Sequence, residues 1–268
     1  MFSEHSQKIQ FSFSVISLSN CHCRYGGPGS QTVDTAWAVG WDTYLASQRN
    51  FIIANIDVSG SGYQGEEHKE SVHGRLGELE TRELLGVITH LRDTLHYVDP
   101  ARICVWGWSY GGYLVGLLLS RDGSGLLACG IAVSPVTDWR QYDTAYTERL
   151  MGRPDEFHNW QGYTTSSLVR AAPAIPSGKL MLVHGTEDDN VHVSHSWALS
   201  AALVESEVLF RQQIYPDQAH SLAGVQRHLY QTMEHFIDQI FGPIEDYFLN
   251  DYYQAAALLL EQYREELS

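Results

Sequence analysis

Residues 102–120, R-I-C-V-W-G-W-S-Y-G-G-Y-L-V-G-L-L-L-S, contain the pattern that decides the fold. Residues 103–106 form a short apolar run with two β-branched positions, which favours a buried strand. The motif G-x-S-x-G follows at 107–111, and the leucine-rich stretch after it is long enough for a buried helix. A strand, this motif and a helix predict a nucleophile elbow, a sharp turn that presents Ser109 at a helix N-terminus. The same pattern fits a glycine-rich turn with an incidental serine, so the hypothesis needs an acid and a histidine elsewhere.

Length and charge limit the classes of protein to which the chain can belong. Its 268 residues fit one large α/β domain, or at most two small ones. The 17 basic and 32 acidic residues give a formal net charge of −15, which argues against nucleic acid or anionic membrane as a partner. No stretch is apolar enough to predict a membrane span, and residues 1–10 lack the charged and apolar regions of a signal peptide.

The four cysteines do not resemble a disulfide framework. Cys104 and Cys129 lie within predicted strands, where we expect them to be small buried apolar side chains. The triplet Cys21-His22-Cys23 lacks a second pair at the spacing of a zinc finger. We therefore expect neither a metal nor another cofactor.

The hydrophobic pattern alternates between the two periods of strand and helix along most of the chain. Strands are predicted at 11–18, 51–56, 103–106, 126–133, 179–184 and 208–215, and helices at 34–47, 78–97, 193–204 and 224–241. This rhythm predicts an α/β protein with a doubly wound, mostly parallel sheet. A polar and aromatic segment at 134–176 interrupts the rhythm, and an acidic stretch after Pro243 is predicted to form one more helix.

Candidate partners for Ser109 follow two of the predicted strands. Glu187, Asp188 and Asp189 come just after the strand at 179–184, at the end of a parallel strand where α/β enzymes place their chemistry. His220 lies in the loop between the next strand and the last helix, whereas His192, His195, His228 and His235 fit helices. The order serine, acid, histidine is that of the α/β-hydrolases, and spacing alone leaves the three acids open.

Five motifs together resemble one family of serine peptidases. They are Y-G-G-P-G-S-Q at 25–31, S-G-Y-Q-G at 61–65, G-W-S-Y-G-G-Y at 107–113, Y-T-E-R-L-M-G at 146–152 and H-G-T-E-D-D-N-V-H at 184–192. The chain resembles the catalytic domain of the prolyl oligopeptidase family, and within it the branch of dipeptidyl peptidase IV and fibroblast activation protein. The resemblance implies an α/β-hydrolase fold over 25–243, between an atypical segment at 1–24 and a helical tail at 244–268.

The resemblance also implies roles for individual residues. It assigns the triad to Ser109, Asp188 and His220, and the oxyanion hole to the Tyr25 hydroxyl and the backbone N–H of Tyr110. Asn190 is implied to hold a substrate carbonyl. The implied proline slot is lined by Val136, Trp139, Tyr142, Tyr146 and Val191 and closed by Tyr110. Independently of the family, Trp139, Tyr142 and Tyr146 have the spacing of one helix face, which is also typical of a core.

The implied activity is cleavage after proline or alanine through an acyl-enzyme. Implied partners are peptides with proline or alanine at the penultimate position and a second copy in a homodimer, and the implied location is the plasma membrane or the exterior. The sequence departs from the family in lacking a β-propeller with its paired glutamates, which suggests a truncated or isoform product. It also has an unfamiliar segment before Tyr25, Ser59 in place of an arginine, and no cysteine near Ile240 to pair with Cys129. A broader ester or amide hydrolase and a catalytically silent interaction module remain alternatives.

Overall fold

A computed structural model describes residues 14–17 and 27–242, and its centre is a six-stranded sheet. The strands are β1 (Ser14–Ser17), β2 (Ile52–Asn55), β3 (Ile103–Trp108), β4 (Cys129–Val133), β5 (Leu180–Gly185) and β6 (Arg211–Tyr215). Their order across the sheet is β2-β1-β3-β4-β5-β6, and every neighbouring pair is parallel. The structure therefore confirms the predicted α/β fold with a doubly wound parallel sheet.

Helices connect the strands and cover both faces of the sheet. They are α1 (Trp41–Gln48), α2 (Glu66–Glu70), α3 (Glu78–Thr94), α4 (Tyr110–Arg121), α5 (Thr144–Met151), α6 (Trp160–Thr165), α7 (Leu168–Ala171), α8 (Ser194–Glu205) and α9 (Gln226–Phe241). The chain runs outward from β1 to β2 and then returns to β3, so the strand order reverses beside β3. Ligand sites of open α/β sheets form at such a reversal, outside the carboxyl ends of the strands. None of the helices within 27–242 has the length and apolarity that crossing a membrane requires.

The core has two halves because successive side chains of a strand point to opposite faces of the sheet. Val105 of β3 belongs to the half that contains side chains of α3, α4 and α8. Its neighbour Trp106 belongs to the half that contains side chains of α1 and α9. Since both faces are covered, β3 is apolar at consecutive positions, as the sequence predicted. The Ser109 turn thus follows a strand that is immobilised from both sides.

Two predicted elements differ in extent or environment. The helix expected at 34–47 begins only at Trp41, because the side chain of Asp34 accepts a hydrogen bond from the Ala36 N–H and forms a turn. Trp37, within the segment predicted as a helix, is 92% exposed. The apolar strand β2 lies at the sheet edge and is only partly buried.

The expectation that Cys104 and Cys129 are simple buried apolar side chains is wrong. They are opposite each other in the register of β3 and β4, with a Cα–Cα distance of 4.7 Å, and they form a disulfide. Both are fully buried, as expected. Cys21, Cys23 and the predicted tail helix after Pro243 lie outside the described residues.

Candidate active site

The turn between β3 and α4 has the backbone of a nucleophile elbow. Ser109 has φ 58° and ψ −114°, a conformation that residues with a side chain rarely adopt. A Cβ atom at Gly107 would overlap the backbone carbonyl of Gly111, so the close approach of these two residues requires glycine. The Ser109 N–H donates to the carbonyl of Val133 on the neighbouring strand at 2.8 Å. The strained turn is therefore fixed by its backbone contacts.

The side chain of Ser109 lies at the start of α4 and is 4% exposed. Its Oγ has no hydrogen-bond partner among the residues that the structure describes. Tyr110 is the first residue of α4, so its N–H has no acceptor within the helix. A serine hydroxyl and an amide without an acceptor in its own helix thus lie side by side at the positive end of the helix dipole.

Of the three acids left open by spacing, Asp188 is the one that contacts His220. Its Oδ2 accepts a hydrogen bond from Nδ1 of His220 at 2.7 Å. Its Oδ1 accepts from the backbone N–H groups of Asn190 at 3.0 Å and Val191 at 2.8 Å. The carboxylate is 2% exposed, so these donors replace the water that it loses on burial.

The surroundings of Asp188 favour its ionised form. Burial raises the pKa of the carboxyl, but the hydrogen bonds from His184 and His220 outweigh burial and hold its pKa well below the usual 3.8. Asp188 is therefore an acceptor throughout the neutral range. A permanent acceptor fixes the proton of His220 on Nδ1 and leaves Nε2 free to take up another.

His184, at the end of β5, contacts Asp188 from the side opposite solvent and was missed by the sequence analysis as a site residue. Its Nε2 lies 2.7 Å from the carbonyl of Val191 and 3.2 Å from Oδ2 of Asp188, and its Nδ1 lies 2.6 Å from Oγ of Ser196. Because a carbonyl can only accept, Nε2 carries the proton and Nδ1 accepts from Ser196. The available signal was composition, since His184 is the one polar side chain in a strand, Leu180–Gly185, that is buried on both faces.

The loop that carries His220 is anchored to the ends of two other strands. Nε1 of Trp108, at the end of β3, donates to the carbonyl of His220 at 3.0 Å. The backbone N–H of Glu187, just past β5, donates to the carbonyl of Gln218 at 3.0 Å. Trp108, the residue before Ser109, therefore anchors the backbone of His220.

The aromatic residues predicted for the slot cluster beside the elbow, although they do not lie on a single helix. Trp139 begins a short 3-10 turn, Tyr142 is extended and Tyr146 lies in α5. The rings of Trp139 and Tyr146 stack at 5.9 Å, and Tyr142 stands edge-on to both at 5.8 and 5.5 Å. Tyr110 adjoins Trp139 at 5.6 Å. The 3-10 turn ends before Tyr142 and α5 begins at Thr144, so the three rings are carried by separate pieces of chain and still contact one another.

The other predicted site residues adjoin this cluster or lie outside the described residues. Val136 and Val191 are fully buried, and the Tyr142 hydroxyl donates to Oδ1 of Asn190 at 2.7 Å. Tyr25 lies outside the described residues. Within 27–242, no group of three or more histidine, cysteine, aspartate or glutamate side chains is arranged to hold a metal ion.

Comparison with known proteins identifies the family. The model of the prolyl oligopeptidase family matches residues 37–243. The chain belongs to the prolyl oligopeptidase family. It is 43% identical over 220 residues to dipeptidyl peptidase 4 of Sus scrofa, a match that covers 81% of this chain and 28% of that protein. It is 41% identical over 219 residues to prolyl endopeptidase FAP of Homo sapiens, with 81% of this chain and 29% of that protein covered.

Solved structures of this family share the fold over most of the chain. The crystal structure of Porphyromonas gingivalis dipeptidyl peptidase 4 superimposes with a TM-score of 0.77 at 36% identity, covering 86% of this chain and 31% of that one. A putative dipeptidyl aminopeptidase IV from Bacteroides ovatus gives a TM-score of 0.78 at 31% identity, covering 86% and 32% of the two chains. The chain thus spans less than a third of the length of these relatives.

Proposed function

We propose that this chain is a serine peptidase of the dipeptidyl peptidase type, which cleaves peptides after proline or alanine. The hydrogen bond between His220 and Asp188, in the loops after two neighbouring strands, carries the proposal. It is supported by the strained turn at Ser109 and by the contact of Trp108 with the histidine loop. Membership of a family whose relatives are named as peptidases favours the same chemistry.

In the proposed first step, Oγ of Ser109 attacks the scissile carbonyl and its proton passes to Nε2 of His220. Asp188 accepts from Nδ1 and stabilises the imidazolium that forms. When the tetrahedral intermediate collapses, the C–N bond breaks and the departing amine takes the proton from Nε2. The acyl group remains on Ser109 as an ester, which water hydrolyses by the same proton transfers.

The oxyanion of the intermediate would be bound by two donors. One is the backbone N–H of Tyr110, which has no acceptor within α4. The other, taken from the family resemblance, is the hydroxyl of Tyr25. Each donor aimed at the developing charge contributes about 10²- to 10³-fold in rate.

Specificity for proline would come from the aromatic group beside the elbow. A pyrrolidine ring offers shape and no hydrogen-bond donor, so flat walls such as Trp139 and Tyr146 suit it. Tyr142 holds the Asn190 amide by its oxygen, which leaves the NH₂ group to donate to a substrate carbonyl. The preferred substrates are therefore peptides with proline or alanine at the penultimate position.

The proposal extends to assembly and compartment. We expect a homodimer, as the family resemblance implies, and a location at the plasma membrane or outside the cell. The disulfide between Cys104 and Cys129 supports an oxidising compartment, because cytosolic thiols are kept reduced.

A labelling experiment tests the enzyme directly. The purified chain is incubated with a fluorophosphonate probe, and turnover of a glycyl-proline amide is compared with that of a simple p-nitrophenyl ester. We expect Ser109 to be labelled and the glycyl-proline amide to be cleaved. Ser109→Ala is the control and should remove label and turnover together.

The possible outcomes separate the alternatives. Labelling with ester turnover but no glycyl-proline cleavage would favour a broader hydrolase. Absence of labelling would leave the chain as an interaction module without catalysis. Turnover that persists in Ser109→Ala would refute Ser109 as the nucleophile.

A further inference from the structure

Glu80 is a buried acid outside all the motifs of the sequence, and it contacts the residue next to Ser109. It lies in the first turn of α3 and is 3% exposed. Its Oε1 accepts a hydrogen bond from the Tyr110 hydroxyl at 2.5 Å and another from the Gly77 N–H at 3.0 Å. One carboxyl oxygen therefore joins the start of α3 to the wall of the proposed slot.

The Glu80 end of this contact is rigid. Gly77 has φ +82° and lies so close to α4 that a Cβ atom would overlap the side chains of Leu117 and Tyr113. The Tyr113 hydroxyl donates to the carbonyl of Leu76 at 2.8 Å, which fixes the same turn from the other side. Because Glu80 is bonded to the backbone of this turn, its Oε1 is a fixed reference point for the Tyr110 ring.

The Tyr110 ring is positioned by packing against two aromatic rings and by the hydrogen bond to Glu80. The ring adjoins Tyr113 at 5.5 Å and Trp139 at 5.6 Å. A cavity of about 30 Å³ is lined by Tyr110 together with Glu80 and Leu84. The hydrogen bond to Glu80 restrains the hydroxyl end of the ring, which neither aromatic contact fixes by a directional bond.

The direction of the hydrogen bond does not depend on the charge of Glu80. Burial raises the pKa of Tyr110 well above its usual 10, so the phenol stays protonated and donates. Burial also raises the pKa of Glu80, and the hydrogen bond from Tyr110 opposes that rise. The Arg121 guanidinium is the nearby cation, bonded to the Gly77 carbonyl and to Oγ1 of Thr81. Ionised or neutral, Glu80 retains Oε1 as an acceptor.

We propose that Glu80 is a positioning residue for Tyr110, and that this contact sharpens discrimination between proline and alanine at the cleavage site. The inference rests on the proposed function, because the Tyr110 ring is a wall of the proposed proline slot. Without this hydrogen bond the ring would be held by packing alone and would fit a pyrrolidine less closely, whereas the smaller alanine depends less on that wall. The loss is expected mainly in KM, because the Tyr110 amide is held by α4, where the Tyr113 N–H donates to the Ser109 carbonyl at 3.0 Å.

The test compares glycyl-prolyl and glycyl-alanyl p-nitroanilides in four variants and a double variant. Glu80→Ala and Tyr110→Phe each remove the hydrogen bond, and Tyr110→Phe leaves the bond from Gly77 to Glu80 in place should Glu80→Ala fold poorly. We expect each to lower the proline-to-alanine ratio of kcat/KM about tenfold, as loss of one buried hydrogen bond allows. The double variant should be no worse than either single variant. Glu80→Gln keeps an acceptor oxygen, and Glu78→Ala, at an exposed position of the same turn, is the matched control; both should stay within about twofold of the wild-type ratio.

The outcomes distinguish failure of this inference from failure of the proposed function. A wild-type chain that takes no fluorophosphonate label and cleaves neither substrate would overturn the proposed function, and this inference with it. A wild-type chain that is active while Glu80→Ala keeps its ratio would overturn the positioning role alone. Urea unfolding provides a readout without turnover, since the midpoint shifts of the two single variants should not add in the double variant. Additive shifts would contradict the contact itself.

Discussion

The turn at 107–111 and the loop at 185–193 occupy equivalent places, each at the carboxyl end of a central strand, but different forces fix them. The first is held by steric contact, because Gly107 and Gly111 approach too closely for a Cβ atom. The second is held by hydrogen bonds that converge on the charge of Asp188. Changes in the first should therefore act independently of pH, whereas changes in the second should act through ionisation.

The largest expected effect comes from removing the hydroxyl of the proposed nucleophile in the turn at 107–111. Ser109→Ala should lower kcat by about a millionfold, the order of loss seen when a serine nucleophile is removed. The free energy of unfolding should stay the same or rise slightly, since the Ser109 hydroxyl is buried with no partner among the described residues. Turnover and urea unfolding of the same preparation check both expectations. A destabilised variant would mean that the hydroxyl helps to hold the turn.

Asp188→Asn tests the loop by removing the charge while keeping the shape. We expect kcat to fall about 10⁴-fold, because an amide can no longer fix the proton of His220 on Nδ1. The pKa of Asp188 is lowered in the folded state, so its contribution to stability is present above the unfolded pKa of about 3.8 and is lost as pH falls through the folded value. Unfolding of wild type and variant at pH 7 and pH 3 should show a difference that shrinks in acid. A difference of equal size at both pH values would contradict the electrostatic account.

Gly107→Ala tests the steric account of the turn. The added Cβ would overlap the Gly111 backbone, so we expect the free energy of unfolding to fall by about 3 kcal/mol at every pH. Gly86→Ala is the matched control, since nothing lies within 4 Å of a Cβ at that exposed position of α3. It should raise stability by up to about 1 kcal/mol through helix propensity. Equal effects of the two substitutions would refute the steric explanation.

His195 precedes Ser196, which bonds to His184. Its titration tests how the free energy of unfolding depends on pH in weak acid. Burial lowers its pKa from 6.5 to about 4, helped by the nearby His184 and opposed by Asp138. The unfolded chain therefore binds this proton more readily, so the contribution of His195 to stability should fall by about 3 kcal/mol as pH falls from 6.5 to 4. Burial raises the pKa of Asp42 to about 6 and also raises that of Glu80, so these two acids act in the opposite direction as pH falls through the same window.

The substitution His195→Gln should remove this contribution, so that the variant gains about 3 kcal/mol relative to wild type between pH 6.5 and pH 4, and it keeps an acceptor for the Thr137 N–H. Urea unfolding at half-unit steps of pH measures the slope. His192→Gln, at an exposed position just before α8, should leave the slope unchanged. If the slope persists in His195→Gln, another group is responsible for it.

The sequence predicted the fold well because period and turn chemistry are local properties. The elbow at Ser109 follows from a buried strand, flanking glycines and a buried helix, all within twenty positions. The choice of Asp188 over Glu187 and Asp189 needed either the family resemblance or coordinates, since adjacent acids share the same local pattern.

Contacts between distant segments could not be predicted in the same way. Strand β3 lies between Glu80 and Tyr110 in the sequence. Nothing in the local pattern of α3 indicates that one of its acids is buried. The disulfide likewise depends on the register of β3 against β4, which the hydrophobic pattern of either strand does not specify. The rings of Trp139, Tyr142 and Tyr146 were grouped correctly, but the helix proposed to carry them is broken because side chains of Asp138 and Asp143 cap two separate turns.

The hydrogen bond from the Trp108 indole affects how the proposed nucleophile, Ser109, and the proposed base, His220, are brought together. β4 and β5 separate β6 from β3, so at about 4.8 Å between neighbouring strands the histidine loop starts roughly 14 Å from the serine. The Trp108 hydrogen bond fixes the arriving His220 to the residue that precedes Ser109. Nucleophile and base are therefore positioned relative to one point, the end of β3. Changes in the twist or spacing of the outer strands can then be absorbed by the loop without separating the two.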